Sequence, residues 1–86
     1  MLREKVTRTI VSFPNTTTAL AMEAACKAAQ LPGRIIPVPN QITAGCGFAW
    51  CAPAEEREQV ERFLAEQGLT HSAVYTIDIY DLPPEG

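Results

Sequence analysis

The residues best suited to chemistry in this chain are Gly45-Cys46-Gly47, a cysteine between two glycines where a polar loop leads into a strand. Glycines on both sides give the thiol little side-chain cover and a permissive backbone, so a bulky electrophile has room to approach. A structural cysteine is expected in an apolar stripe instead, and Cys26 lies on one. Cys51 lies five residues beyond Cys46, an odd offset that puts the two side chains on opposite faces of a regular strand. That parity disfavours a disulfide and a metal site built from Cys46, Cys51 and His71, and the chain has no Cys-x-x-Cys pair. The expectation is a single nucleophilic cysteine, Cys46, with no bound metal or cofactor. Its plain alternative is a small filler residue in a glycine turn.

The elements that must position this thiol follow from the hydrophobic pattern. Val6 to Phe13 is β-branched and apolar and is broken by Pro14-Asn15, which predicts a first strand. Asn15 or Thr16 then caps a helix over Thr17 to Gln30, with Ala19, Met22, Cys26 and Ala29 as its buried stripe and Pro32-Gly33 as its end. Arg34 to Val38 reads as a second strand, and Pro37, which lacks a ladder donor, assigns it to a sheet edge. Gly47 to Ala52 reads as a third strand with Phe48 and Trp50 on one face.

A second helix follows, with Pro53 in its first turn, Glu55 and Glu56 near its positive end, and Gly68 as its stop. Its stripe is Val60, Phe63, Leu64 and Gln67, and the pairs Arg57/Glu61 and Glu58/Arg62 lie on a solvated face. The last strand, Ala73 to Tyr80, alternates Tyr75, Ile77 and Ile79 with Thr76, Asp78 and Tyr80. The order β-α-β-β-α-β with right-handed crossovers predicts an α+β, ferredoxin-like sandwich: a four-stranded antiparallel sheet with two helices on one face. One domain accounts for residues 1–86, with a frayed tail over about 82–86.

Composition narrows the partners. A net charge of −3 with scattered Lys and Arg argues against nucleic acid, and no apolar run has the length of a membrane span. The start, Met1-Leu2-Arg3-Glu4-Lys5, is not that of a secretory signal, so a cytoplasmic protein is expected. The sheet face away from the helices is expected to be bare in a monomer, which predicts a homodimer.

The predicted topology places the start of the third strand beside the end of the first strand and the start of the first helix. Cys46 is thereby expected near Asn15, Thr16 and Thr17, whose free amides and hydroxyls would favour a thiolate. The fourth strand begins at the same end, so His71 is a candidate auxiliary residue. Gly45 and Gly47 belong to the candidate site through the access they give.

Phe13-Pro14-Asn15-Thr16, then Ala19-Leu20 and Glu23, then Arg34-Ile35-Ile36-Pro37-Val38-Pro39, then Cys46-Gly47 form an ordered set. Over about residues 8 to 52 it resembles a family of small bacterial proteins described as selenium/sulfur carrier-like, and it departs from that pattern at Trp50 and Cys51. The resemblance implies that Cys46 holds sulfur or selenium as a persulfide or perselenide. It also implies relay between a donor such as a cysteine desulfurase and an acceptor enzyme, with no small-molecule turnover of its own. The competing expectation is a non-catalytic regulatory or interaction module, with Trp50, Tyr75 and Tyr80 lining its interface.

Overall fold

The computed structural model describes residues 5–39, 41, 42 and 47–80. The elements are β1 (Lys5–Ser12), α1 (Thr16–Ala29), β2 (Arg34–Pro37), β3 (Phe48–Pro53), a 3-10 turn (Ala54–Glu56), α2 (Arg57–Gln67) and β4 (Ala73–Tyr80). The strands form one sheet in the order β2-β3-β1-β4, and every neighbouring pair is antiparallel. This is the ferredoxin-like arrangement expected from the pattern, with the Pro37-bearing strand at an edge.

The alternation of each strand divides its side chains between two apolar clusters. Val11, Phe13, Trp50 and Ala52 pack with Ala19, Met22 and Cys26 of α1 and Val60 and Leu64 of α2. All the buried helix residues belong to this cluster, so both helices cover the same face of the sheet. The opposite face carries Ile10, Ile36, Ala49, Cys51 and Ile79, flanked by Tyr75 and Ile77. Thr9 is a buried polar residue on the helix side, and its hydroxyl donates to the carbonyls of Pro53 and Ala54 at 3.2 and 3.3 Å.

The face away from the helices is not bare. Ile42, from the connection between β2 and β3, is 6% exposed and packs into its cluster. Beside it, Gln41 Nε2 donates to the Asp78 carbonyl of β4 at 2.9 Å. Because β2 and β4 are opposite edges, these contacts place Gln41 and Ile42, which follow β2 in the chain, over this face and toward its far edge. Ile10 and Ala49 are fully buried there within one chain. The exposed face on which the dimer expectation rested is therefore largely covered.

Several local expectations are corrected. Ala29 and Gln67 lie exposed: each is the last residue of its helix, and the buried positions of those last turns are Cys26 and Leu64. Helix α1 ends within one residue of its expected bound: Gln30 takes the left-handed conformation at φ 58°, and the Leu31 amide closes onto the Cys26 carbonyl at 2.9 Å. Pro53 ends β3, opposite Arg8, instead of opening α2. Gly68 closes α2 at φ 63° as expected. Arg57 does more than pair with Glu61 at 3.0 Å: its guanidinium also reaches Thr76 Oγ1 at 2.8 Å and the Val74 carbonyl at 3.2 Å, tying α2 to β4. No helix among the described residues is long and apolar enough to cross a membrane.

Candidate functional site

Cys46 and Gly45 lie outside the described residues; Gly47, the third member of the motif, is described. Register fixes the surroundings of Gly47. Ser12 pairs with Ala49 and Pro37 with Phe48, and the Val38 amide donates to the Gly47 carbonyl at 3.0 Å. The start of β3 thus lies at the end of the sheet where β1 and β2 finish and α1 begins. Arg34, opposite Cys51, belongs to the other end.

At that first end Asn15 caps α1. Its extended backbone leaves the helix, and its Oδ1 accepts the Thr18 amide at 2.9 Å. The Thr18 hydroxyl turns back to donate to the Asn15 carbonyl at 2.9 Å, so that hydroxyl serves the cap. Thr16 and Thr17, the first two helical residues, are exposed, and their amides point out of the helix start with no intrahelical acceptor. The first turn of α1 contains no acidic residue, so its positive end is not offset by a side chain. Asn15→Ala is expected to cost about 1 kcal/mol of stability through loss of the cap, read as a lower midpoint in urea at unchanged slope.

His71 is at the same end of the sheet but on its other side. The Ser72 amide donates to the Ser12 carbonyl at 2.7 Å, which sets the start of β4 against β1. Strand β1 stands between β4 and β3, a spacing of roughly 10 Å across two strand intervals. His71 is exposed, with Nδ1 3.3 Å from the Leu69 carbonyl. The sheet does not pair it with Gly47.

Gly47 is exposed, and a Cβ built on it meets nothing within 4 Å. Its φ is not among the left-handed values, which among the described glycines belong to Gly33 and Gly68. Neither a turn nor a packing contact in the described chain requires glycine at this position.

The other two cysteines are buried. Cys51 lies in the cluster away from the helices, opposite Ile10, at 5% exposure. Cys26 is fully buried in the helix-side core, as its stripe position predicted, and burial pushes its thiol up to about 11. Its ordinary pKa is about 9.0, so the unfolded chain loses the proton first and stability falls as pH rises from there toward 11. The expected loss across that window is about 3 kcal/mol, and Cys26→Ala should flatten the slope of stability against pH. Chemical denaturation at a series of alkaline pH values checks this.

The element order, the antiparallel sheet and the paired helices define an α+β protein of the ferredoxin-like class. Residues 8–76 match the family described as "Putative Se/S carrier protein-like", and the chain belongs to that family. No curated protein and no solved structure matches it.

Proposed function

We propose that the protein is a sulfur or selenium carrier that works through Cys46. The observation that carries this reading is family membership across residues 8–76, a span that includes the Gly45-Cys46-Gly47 motif. Its thiolate attacks the outer sulfur of a donor persulfide such as that of a cysteine desulfurase. The Cys46 Sγ–S bond forms, the donor's S–S bond breaks, and the donor cysteine leaves as a thiolate. In the second step an acceptor nucleophile takes the outer sulfur and Cys46 leaves as a thiolate. A selenium atom moves by the same two displacements. No net oxidant or reductant is consumed, so one cysteine suffices.

The exposed start of α1, with Thr16 and Thr17 at its tip and no acidic residue in its first turn, supports the thiolate form needed for the first step. The test is incubation with a cysteine desulfurase and cysteine, followed by intact mass. Wild type and Cys51→Ser should each gain one sulfur, and Cys46→Ser none; equal labelling of wild type and Cys46→Ser, or labelling of neither, rejects the carrier reading. Asn15→Asp retains a capping oxygen but places a carboxylate at the helix start. It should keep the fold and raise the pKa seen in the pH profile of Cys46 alkylation; an unchanged profile would separate the thiol from the helix end.

A further inference from the structure

The register of the sheet determines which backbone groups are left over at its edges. In an antiparallel sheet alternate residues of a strand direct both N–H and C=O to one neighbour, and the residues between them direct theirs to the other side. The Val38 amide on the Gly47 carbonyl, in step with Pro37 opposite Phe48, fixes this alternation for β3: the backbone groups of Ala49 and Cys51 face β2, and those of Trp50 and Ala52 face β1. Carried across the sheet, the same register turns the groups of Thr9 and Val11 toward β3, those of Arg8 and Ile10 toward β4, and those of Tyr75 and Ile77 toward β1. Val74, Thr76 and Asp78 therefore direct their N–H and C=O outward, along the free edge of β4.

Side chains from both faces of the sheet occupy this edge. On the helix side Arg57 of α2, held by Glu61 at 3.0 Å, donates to the Val74 carbonyl at 3.2 Å and to Thr76 Oγ1 at 2.8 Å. From the other face Gln41, whose neighbour Ile42 is packed into the cluster there, donates to the Asp78 carbonyl at 2.9 Å. Two of the three outward carbonyls are thus taken, four residues apart and from opposite sides. The other edge is closed differently: β2 has four residues, and Pro37, at an outward-facing position, offers no amide.

An edge strand of eight residues with alternating apolar side chains is a template for pairing with another strand. A second copy of β4 suits it. Antiparallel pairing centred on Thr76 sets Thr76 opposite its own counterpart, Val74 opposite Asp78 and Tyr75 opposite Ile77, so no like charges meet and the apolar face of Tyr75 and Ile77 continues from one sheet into the next. We infer that Arg57 and Gln41 form a two-sided guard that closes the β4 edge to the β4 edge of a second copy. A two-fold pairing must displace both guards in both copies, so each side chain opposes it twice. The inference does not rest on the carrier reading.

The test is self-association of the full chain, measured by sedimentation equilibrium over a concentration series. The double variant Arg57→Ala with Gln41→Ala should associate about tenfold or more strongly than wild type, because the guarding bonds to Val74 and Asp78 are lost in each copy. Each single variant should show a smaller rise. Adding Thr76→Pro to the double variant should return association to the wild-type level: it removes an amide at the free edge and leaves the β1–β4 ladder its donors. Hydrogen exchange at the Thr76 amide supplies a second reading, fast in the unpaired chain and slowed with concentration in the double variant. Circular dichroism confirms that the variants fold, and if the double variant does not, the single variants decide. Association unchanged from wild type in the folded double variant, or in both folded single variants, overturns the inference. So does association that Thr76→Pro fails to reverse, or a wild-type dimer that Thr76→Pro dissociates, because the edge would then be unguarded in the native chain.

Discussion

Gly33→Ala is expected to destabilise the protein by about 3 kcal/mol or more, lowering Tm by roughly 10 to 20 °C. Gly33 sits at φ 133°, a region that side chains rarely adopt. A Cβ there would stand 2.6 Å from Trp50 Nε1, 2.7 Å from Trp50 Cε2 and 2.7 Å from the Cys51 carbonyl. The indole cannot easily yield, because Trp50 is 2% exposed and packed in the helix-side core. Its Nε1–H is buried without a hydrogen-bond partner among the described residues, so the backbone at Gly33 covers the indole edge without satisfying it. Combining Gly33→Ala with Trp50→Ala separates the two causes. The clash with the indole should vanish in the double variant, giving a coupling energy of at least about 1 kcal/mol, while the clash with the Cys51 carbonyl and the cost of the φ value persist. Additive losses would mean that the backbone, through the φ value and the Cys51 carbonyl, makes glycine necessary without the indole.

Much of the fold was legible because its elements carry agreeing local signals. Pro37 marked an edge strand, Asn15 a helix start, and the period-two pattern of Tyr75, Ile77 and Ile79 a single face. Where one signal had to fix a boundary, it erred. Pro53 suggested the first turn of α2, yet it ends β3 opposite Arg8. Pro32-Gly33 lies just past the end of α1, which closes on Gln30 within one residue of its expected end. Gly33 is required for a different reason, its approach to Trp50, which no local pattern encodes.

The candidate site was legible in part. Topology correctly joined Gly47 to the capped start of α1, since strand direction follows from element order. It did not reveal that β1 would separate His71 from Gly47, because the fourth strand enters the sheet on the other side of β1. Nor did it show Ile42 packing on the second face: it is an isolated apolar residue in a polar loop, and nothing about its neighbours announces where it packs.

Phe13→Ala is expected to cost about 3 to 5 kcal/mol, a large share of the roughly 5 to 10 kcal/mol that holds a domain of this size together. Phe13 is fully buried in the helix-side cluster. It is also the residue at which the chain leaves β1, two positions before the Asn15 cap. Its ring therefore anchors both the core and the point from which α1 starts. Phe13→Leu, which retains much of the volume, should cost about 1 to 2 kcal/mol and keep the cap in place. Urea denaturation measures both losses, and hydrogen exchange at the Thr18 amide, which Asn15 holds, reports the cap separately. If the anchor fixes the helix start, Phe13→Ala should raise exchange at Thr18 beyond what its global loss of stability requires, whereas Phe13→Leu should not. Equal exchange after correction for global stability would confine Phe13 to the core and leave the helix start to be positioned by Asn15 alone.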